Sequence, residues 1–132
     1  LSIIDLQTGR MQTVQAGHPP PLLQRKEQPV VMLGDGGMPV GLIPEAPFET
    51  FETQLLPGDR LVLYSDGITE AESVHGNMLE ESGLATFLQT HQDLDGQDLL
   101  AQLLTTLGDF TGSGEFNDDV SALVFDYTGP VE

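Results

Sequence analysis

Two places in the sequence set carboxylates at the limits of apolar runs, where a strand leaves the interior and meets solvent. The first is RLVLYSDG, residues 60–67. Leu61, Val62, Leu63 and Tyr64 lead through Ser65 to Asp66 and then Gly67. The second is NDDVSALVF, residues 117–125, where Asp118 and Asp119 stand just ahead of a run that reads as buried strand. If the two runs are antiparallel neighbours, the end of one lies beside the start of the other, and the carboxylates converge at one sheet edge. Hard oxygen donors clustered in this way suit Mg²⁺ or Mn²⁺, which usually keep several waters. An ion so held turns a bound water into a nucleophile near neutral pH and polarises a phosphoryl oxygen. Gly67 serves such a corner by letting the backbone turn sharply without a side chain over the ion. By local composition alone the plainer reading is the commoner one, because Asp-Gly and Asn-Asp are frequent turn pairs.

The charge balance bears on that choice. Asp and Glu number 21 against four basic residues, Arg10, Arg25, Lys26 and Arg60, for a net charge of −17. At most a few carboxylates can therefore pair with a cationic side chain. An aspartate held in a low-dielectric crevice must shift its pKa, gather hydrogen-bond donors or bind a metal. The same charge repels phosphate backbones and anionic membrane surfaces, so no nucleic acid is expected as a partner. No apolar stretch approaches the ~18–20 residues that cross a bilayer, and no basic-then-apolar leader opens the chain. Membrane insertion is not expected, and the cytoplasm is the expected location. The absence of cysteine removes disulfides and thiolate metal sites.

The elements that must position these residues read as strands first, then two helices, then a closing strand. Ser2 to Leu6 and Met11 to Ala16 are β-branched, apolar-rich strands joined across QTGR. The prolines of AGHPPPLL forbid helix and lead in extended geometry to a short strand at Leu22 and Leu23. RKEQP reads as a hairpin tip, with Pro29 to Leu33 returning. GDGGMPVGLIPEAP is a loop, Phe48 to Leu56 alternates as a strand, and PGD turns the chain into Arg60 to Ser65. Leu61 to Tyr64, four in succession, predict a strand covered on both faces. Helices are predicted over Glu81 to Thr90 and Gln97 to Leu107, the second capped by Asp95, before TGSGEFNDD and a strand from Val120 to Tyr127. This order predicts an α+β layered structure. The chain begins without methionine, already inside a strand, so we expect it to be the later part of a larger protein.

Four segments, AGHPPPLL, MPVGLIP, LLPGDRLVLYSDGITEA and FNDDVSALVF, stand in this order and extend over nearly the whole chain. Together they resemble the metal-dependent protein phosphatases, specifically the SpoIIE-type serine/threonine branch related to eukaryotic protein phosphatase 2C. The resemblance implies a sandwich of antiparallel β-sheets flanked by helices, with residues 1–132 as the C-terminal part of a single phosphatase domain. It implies hydrolysis of phosphoserine or phosphothreonine by a water bridging two Mn²⁺ or Mg²⁺ ions. Asp66 and Asp118 match family metal ligands, whereas Asp119 falls where relatives often carry asparagine and is expected to support the site rather than ligate. In this branch the usual substrates are anti-sigma-factor antagonists, and sensor or receiver domains commonly lie upstream.

One departure matters. The family carries a further aspartate that bridges both ions, in a Gly-Asp motif on an early strand. Asp5 and Asp35 are the nearest candidates but lie in different surroundings, a hairpin and a glycine loop. The bridging ligand is therefore expected upstream, and this segment alone is expected to bind metal weakly and be inactive. The alternative is a phosphatase-like module that has lost catalysis and works by holding a partner.

Other motifs fail on residue type. A haloacid-dehalogenase phosphatase would need an aspartate nucleophile where Tyr64 stands. A calcium loop aligned on Gly96 puts His91 and Gln102 at ligand positions that require carboxylates. His18, His75 and His91 lack zinc-site spacing. His18, inside AGHPP, is expected to fix that extended segment, with proton shuttling near the site as the alternative. The glycines of GDGG read as a flexible loop, because no strand-to-helix frame surrounds them as a phosphate cradle would require.

Overall fold

Alternating exposure builds the first layer of the computed structural model, which describes residues 1–130. Along β2 (Arg10–Val14), Met11 and Thr13 point inward while Arg10 and Gln12 face solvent. Thr13 and Met11 lie opposite Phe51 and Thr53 of β5 (Thr50–Gln54), and β1 (Ser2–Ile4) pairs on the other side of β2. The result is a three-stranded antiparallel sheet in the order β1-β2-β5.

The second sheet has four antiparallel strands in the order β4-β3-β6-β7. β3 (Leu22–Gln24) and β4 (Val31–Met32) form the hairpin whose tip is RKEQP. β6 (Arg60–Tyr64) lies between β3 and β7 (Ala122–Asp126). Its apolar run is covered on both faces, as predicted. Leu61 joins Met11, Leu23, Leu55 and Tyr127 in the core between the sheets. Val62 and Tyr64 join the core beneath the helices with Leu84, Leu88, Leu99 and Leu107. Truncating any of these fully buried leucines to alanine is expected to cost about 2–5 kcal/mol.

Three helices stand between β6 and β7. α1 (Asp66–Thr69) leaves β6 through Ser65, and its Gly67, Ile68 and Thr69 are buried. α2 (Glu80–Thr90) buries Leu84, Phe87 and Leu88, the i, i+3, i+4 stripe seen in the sequence. α3 (Gly96–Thr111) buries Leu99, Leu103 and Leu107. The Asp95 side chain accepts from the Asp98 amide at 2.9 Å, satisfying one of the amides a helix start leaves without an intrahelical partner. α3 runs a turn beyond its predicted end and stops at Gly112, whose φ of 73° is left-handed. α1 was not foreseen, because four residues are too few to show a hydrophobic period. Two antiparallel sheets packed on each other with helices against one of them are the sandwich expected from the sequence. Among the described residues no helix is long and apolar enough to cross a membrane.

Candidate active site

The β6–β7 register brings the two acidic corners together. Tyr64 pairs with Ala122, so the residues after β6 lie beside those before β7. Ser65 continues the contact one step past the strands: its amide donates to Ser121 O at 2.9 Å. Its hydroxyl donates to Asp119 O at 2.8 Å and accepts from the Ser121 amide at 2.9 Å. Held this way, the Ser65 side chain makes no capping bond to α1, which begins at Asp66.

Gly67 has a different role from the one predicted. It sits inside α1 and not at a sharp turn. A Cβ there would lie 2.3 Å from Asp119 O, closer than carbon and oxygen can approach, and a tight 3.1 Å from Asp118 O. The glycine lets the helix start press against the 118–119 backbone, so its effect is close packing of the two corners.

Asp66 is exposed and borders a hollow of about 440 Å³ together with His18, Asp35, Glu70, Glu80 and Glu81. Asp118 borders an adjoining hollow of about 70 Å³ with Gly67, Glu70, Glu72 and Asn117. Glu70 and Met78 belong to both. Asp118 Oδ1 also accepts from the Asp119 amide at 2.7 Å. Asp119 meets the other corner through its backbone carbonyl. No lysine or arginine lines either hollow, so the donors are carboxylate oxygens without a cationic partner. Such a set fits part of the shell of Mg²⁺ or Mn²⁺. Among the described residues, no three histidine or acidic side chains are assembled closely enough to hold an ion by themselves.

The remaining candidates separate. His18 is exposed on the hollow, and its Nδ1 donates to Pro19 O at 2.9 Å, a bond within its own extended segment. Asp5 is a turn residue whose Oδ1 accepts from the Gln7 and Thr8 amides at 2.9 and 3.3 Å. The Gln7 amide, followed by the Thr8 side chain, holds its carboxyl below the usual carboxylate range. Asp35, in contrast, lines the hollow beside Asp66. Tyr64 is only 2% exposed and its hydroxyl has no hydrogen-bond partner. Burial, with the Glu81 charge second, pushes its pKa up to about 12.

Sequence reasoning missed Glu70, Glu80 and Glu81. Glu70 closes the short helix that begins at Asp66, a turn that left no periodic signal in the sequence. The other two reach the hollow from the start of α2, through a tertiary contact that no spacing in the sequence encodes.

Comparisons with known proteins converge on one group. The family model described as Stage II sporulation protein E (SpoIIE) matches residues 1–128. Stage II sporulation protein E of Bacillus subtilis (strain 168) is 32% identical over 125 residues, 94% of this chain and 14% of its own length. Phosphoserine phosphatase RsbU of the same organism is 28% identical over 113 residues, 83% of this chain and 32% of its own length. The solved phosphatase domain of the B. subtilis cell fate determinant SpoIIE, presoaked with Mn, superposes with a TM-score of 0.77 at 28% identity. That match covers 100% of this chain and 56% of the solved one. The chain thus spans a minor part of its curated relatives and about half of a solved phosphatase domain.

Proposed function

The chain belongs to the SpoIIE family, and from that premise we propose that it is part of a metal-dependent phosphatase that hydrolyses phosphoserine or phosphothreonine on a regulatory protein. The observation that carries this reading is the joining of the Asp66 and Asp118–Asp119 corners by Ser65 and Gly67. Residues 1–132 are taken as the C-terminal part of one phosphatase domain. Asp66 and Asp118 are assigned as metal-ligating residues, and Asp119 as support through its position beside Ser65. Mn²⁺ or Mg²⁺ bound there would supply a nucleophilic water at neutral pH and a Lewis acid for the phosphoryl oxygen.

The chain's own residues prepare the place. Ser65 fixes the separation of the two corners, and Gly67 lets them close up. The acids from α1 and α2 keep the hollow polar, which suits an ion that retains part of its hydration. Because fewer than three candidate ligands assemble among the described residues, this segment alone is expected to bind the ions weakly and lack turnover. The proposed substrate is a phosphoprotein of the anti-sigma-factor-antagonist kind, the proposed upstream input a sensor or receiver domain, and the proposed location the cytoplasm.

The test uses the intact protein with p-nitrophenyl phosphate and with a phosphoserine peptide. Phosphate release should require Mn²⁺ or Mg²⁺ and stop with chelator; metal-independent turnover would falsify the mechanism. The lack of an assembled three-ligand group in the described residues also favours a second reading, a partner-holding module without catalysis. Folded intact protein that releases no phosphate with either ion establishes that reading instead.

A further inference from the structure

A third hollow, of about 550 Å³, adjoins the larger one at Asp66 and shares Asp35 and Gly37 with it. Its lining is amphipathic: Asp35 and Glu49 are acidic, and Met38, Pro47 and Phe51 are apolar. The wall between the two hollows is fixed in place. The Gln15 side chain accepts from the Asp35 and Gly36 amides at 3.0 and 2.9 Å and donates to Leu33 O at 2.7 Å. Asp35 Oδ1 in turn accepts from the Gly37 amide at 3.0 Å, which sets its carboxylate on that wall.

An apolar floor with acids at its rim is the complement of a lysine or arginine, whose stem packs on apolar surface while its head stays with charge. The cation cannot come from within. Arg10 pairs with Glu52, Arg25 with Asp59 and Arg60 with Asp126, and no basic residue lines the groove. The fourth base, Lys26, is at the β3–β4 tip and borders a separate hollow beside Asp126. There is also a reason for a substrate to bring one. A phosphorylated residue carries about −1.5 to −2 charges, which a protein of net charge −17 repels.

We propose that the Asp35–Glu49 groove is a specificity subsite that takes a lysine or arginine lying beside the phosphorylated residue on the surface of the protein substrate. This rests on the phosphatase reading and adds what selects the substrate. The phosphate enters the hollow at Asp66, and the neighbouring cation crosses the Asp35 wall into the groove. There Met38, Pro47 and Phe51 receive its stem, and Asp35 and Glu49 its charge.

The test is binding of two fluorescent phosphoserine peptides to the intact protein by anisotropy. The peptides are identical but for arginine or alanine at positions next to the phosphoserine. The arginine peptide should bind about five- to tenfold tighter at low salt, with the preference shrinking as salt rises. Asp35→Asn with Glu49→Gln should abolish the preference, and Glu49→Lys alone should turn it toward the alanine peptide. Asparagine at 35 can still accept from the Gly37 amide, and Glu49 is exposed, so these variants keep the fold. Equal affinity for both peptides, or a preference that persists in the double variant, overturns the subsite. Wild-type turnover of p-nitrophenyl phosphate reports separately on the phosphatase reading, so the two failures are distinguishable.

Discussion

The two ends of β6 carry acids under opposite conditions. At the Arg60 end the buried charges, Asp59 and Arg60, are both answered. Asp59, 2% exposed, receives Arg25 Nε and Nη2 at 2.8 and 2.6 Å and the Leu56 amide at 2.8 Å. Arg60 holds Asp126 through Nε and Nη2 at 2.5 and 3.0 Å and gives Nη1 to Leu94 O at 2.9 Å. At the Asp66 end the carboxylates are exposed and face hollows without a lysine or arginine. One strand pair thus has a closed end that holds the fold and an open end left to bind something. Three of the chain's four basic residues are engaged in ion pairs, two of them at the closed end.

Replacing a carboxylate at the open end should have the largest effect and should touch activity alone. In the intact protein, Asp66→Asn is expected to reduce turnover by at least about a hundredfold, because groups that merely support a ligand already cost 10–100-fold. The melting temperature should stay nearly unchanged, since an exposed group is altered; lost stability with retained activity would make Asp66 structural. Asp118→Asn should harm turnover more than Asp119→Asn, and the opposite order would exchange their roles.

The closed end should answer in stability. Asp59→Ala leaves Arg25 unpaired and the Leu56 amide without its acceptor, an expected loss of about 2–4 kcal/mol in denaturant melts. Residual activity should then track the folded fraction. Gly67→Ala tests the joint between the two corners of the open end, since its Cβ must push Asp119 O from 2.3 Å. About 1–3 kcal/mol of destabilisation is expected, with activity falling more than the folded fraction does.

The smallest effect belongs to Tyr64→Phe. Removing a buried hydroxyl that has no partner should be neutral or stabilising by up to about 1 kcal/mol. The pH dependence has a definite sign. The phenol ionises near its ordinary value in the unfolded chain but only at about 12 in the fold. Its contribution is therefore complete below about pH 10 and lost as pH rises toward 12. The phenylalanine variant should show a flatter alkaline limb in thermal melts.

What could be read in the sequence followed from periodicity and turn chemistry. The Leu stripes of α2 and α3, the Asp95 cap and the doubly covered β6 each leave a local signature. The convergence of Asp66 with the 118–119 corner was a conditional inference from two strand limits, and the β6–β7 register meets its condition. The failures lie where information is not local. Arg25 meets Asp59 across 34 residues and Arg60 meets Asp126 across 66, so no window contains both partners. Gly67 looked like a turn glycine because its reason, the Asp119 carbonyl, comes from the far end of the chain. The acids of α2 entered the hollow by helix placement alone.

The Ser65 hydroxyl carries a further consequence. Because the Ser121 amide donates to that side chain and not to a strand partner, its proton is protected only while the two corners stay joined. Hydrogen exchange at this one position therefore reads the opening of the corner directly. Were Asp66 and Asp118 to hold Mn²⁺ or Mg²⁺, the exchange would slow, giving a measure of occupancy that needs no substrate and no turnover.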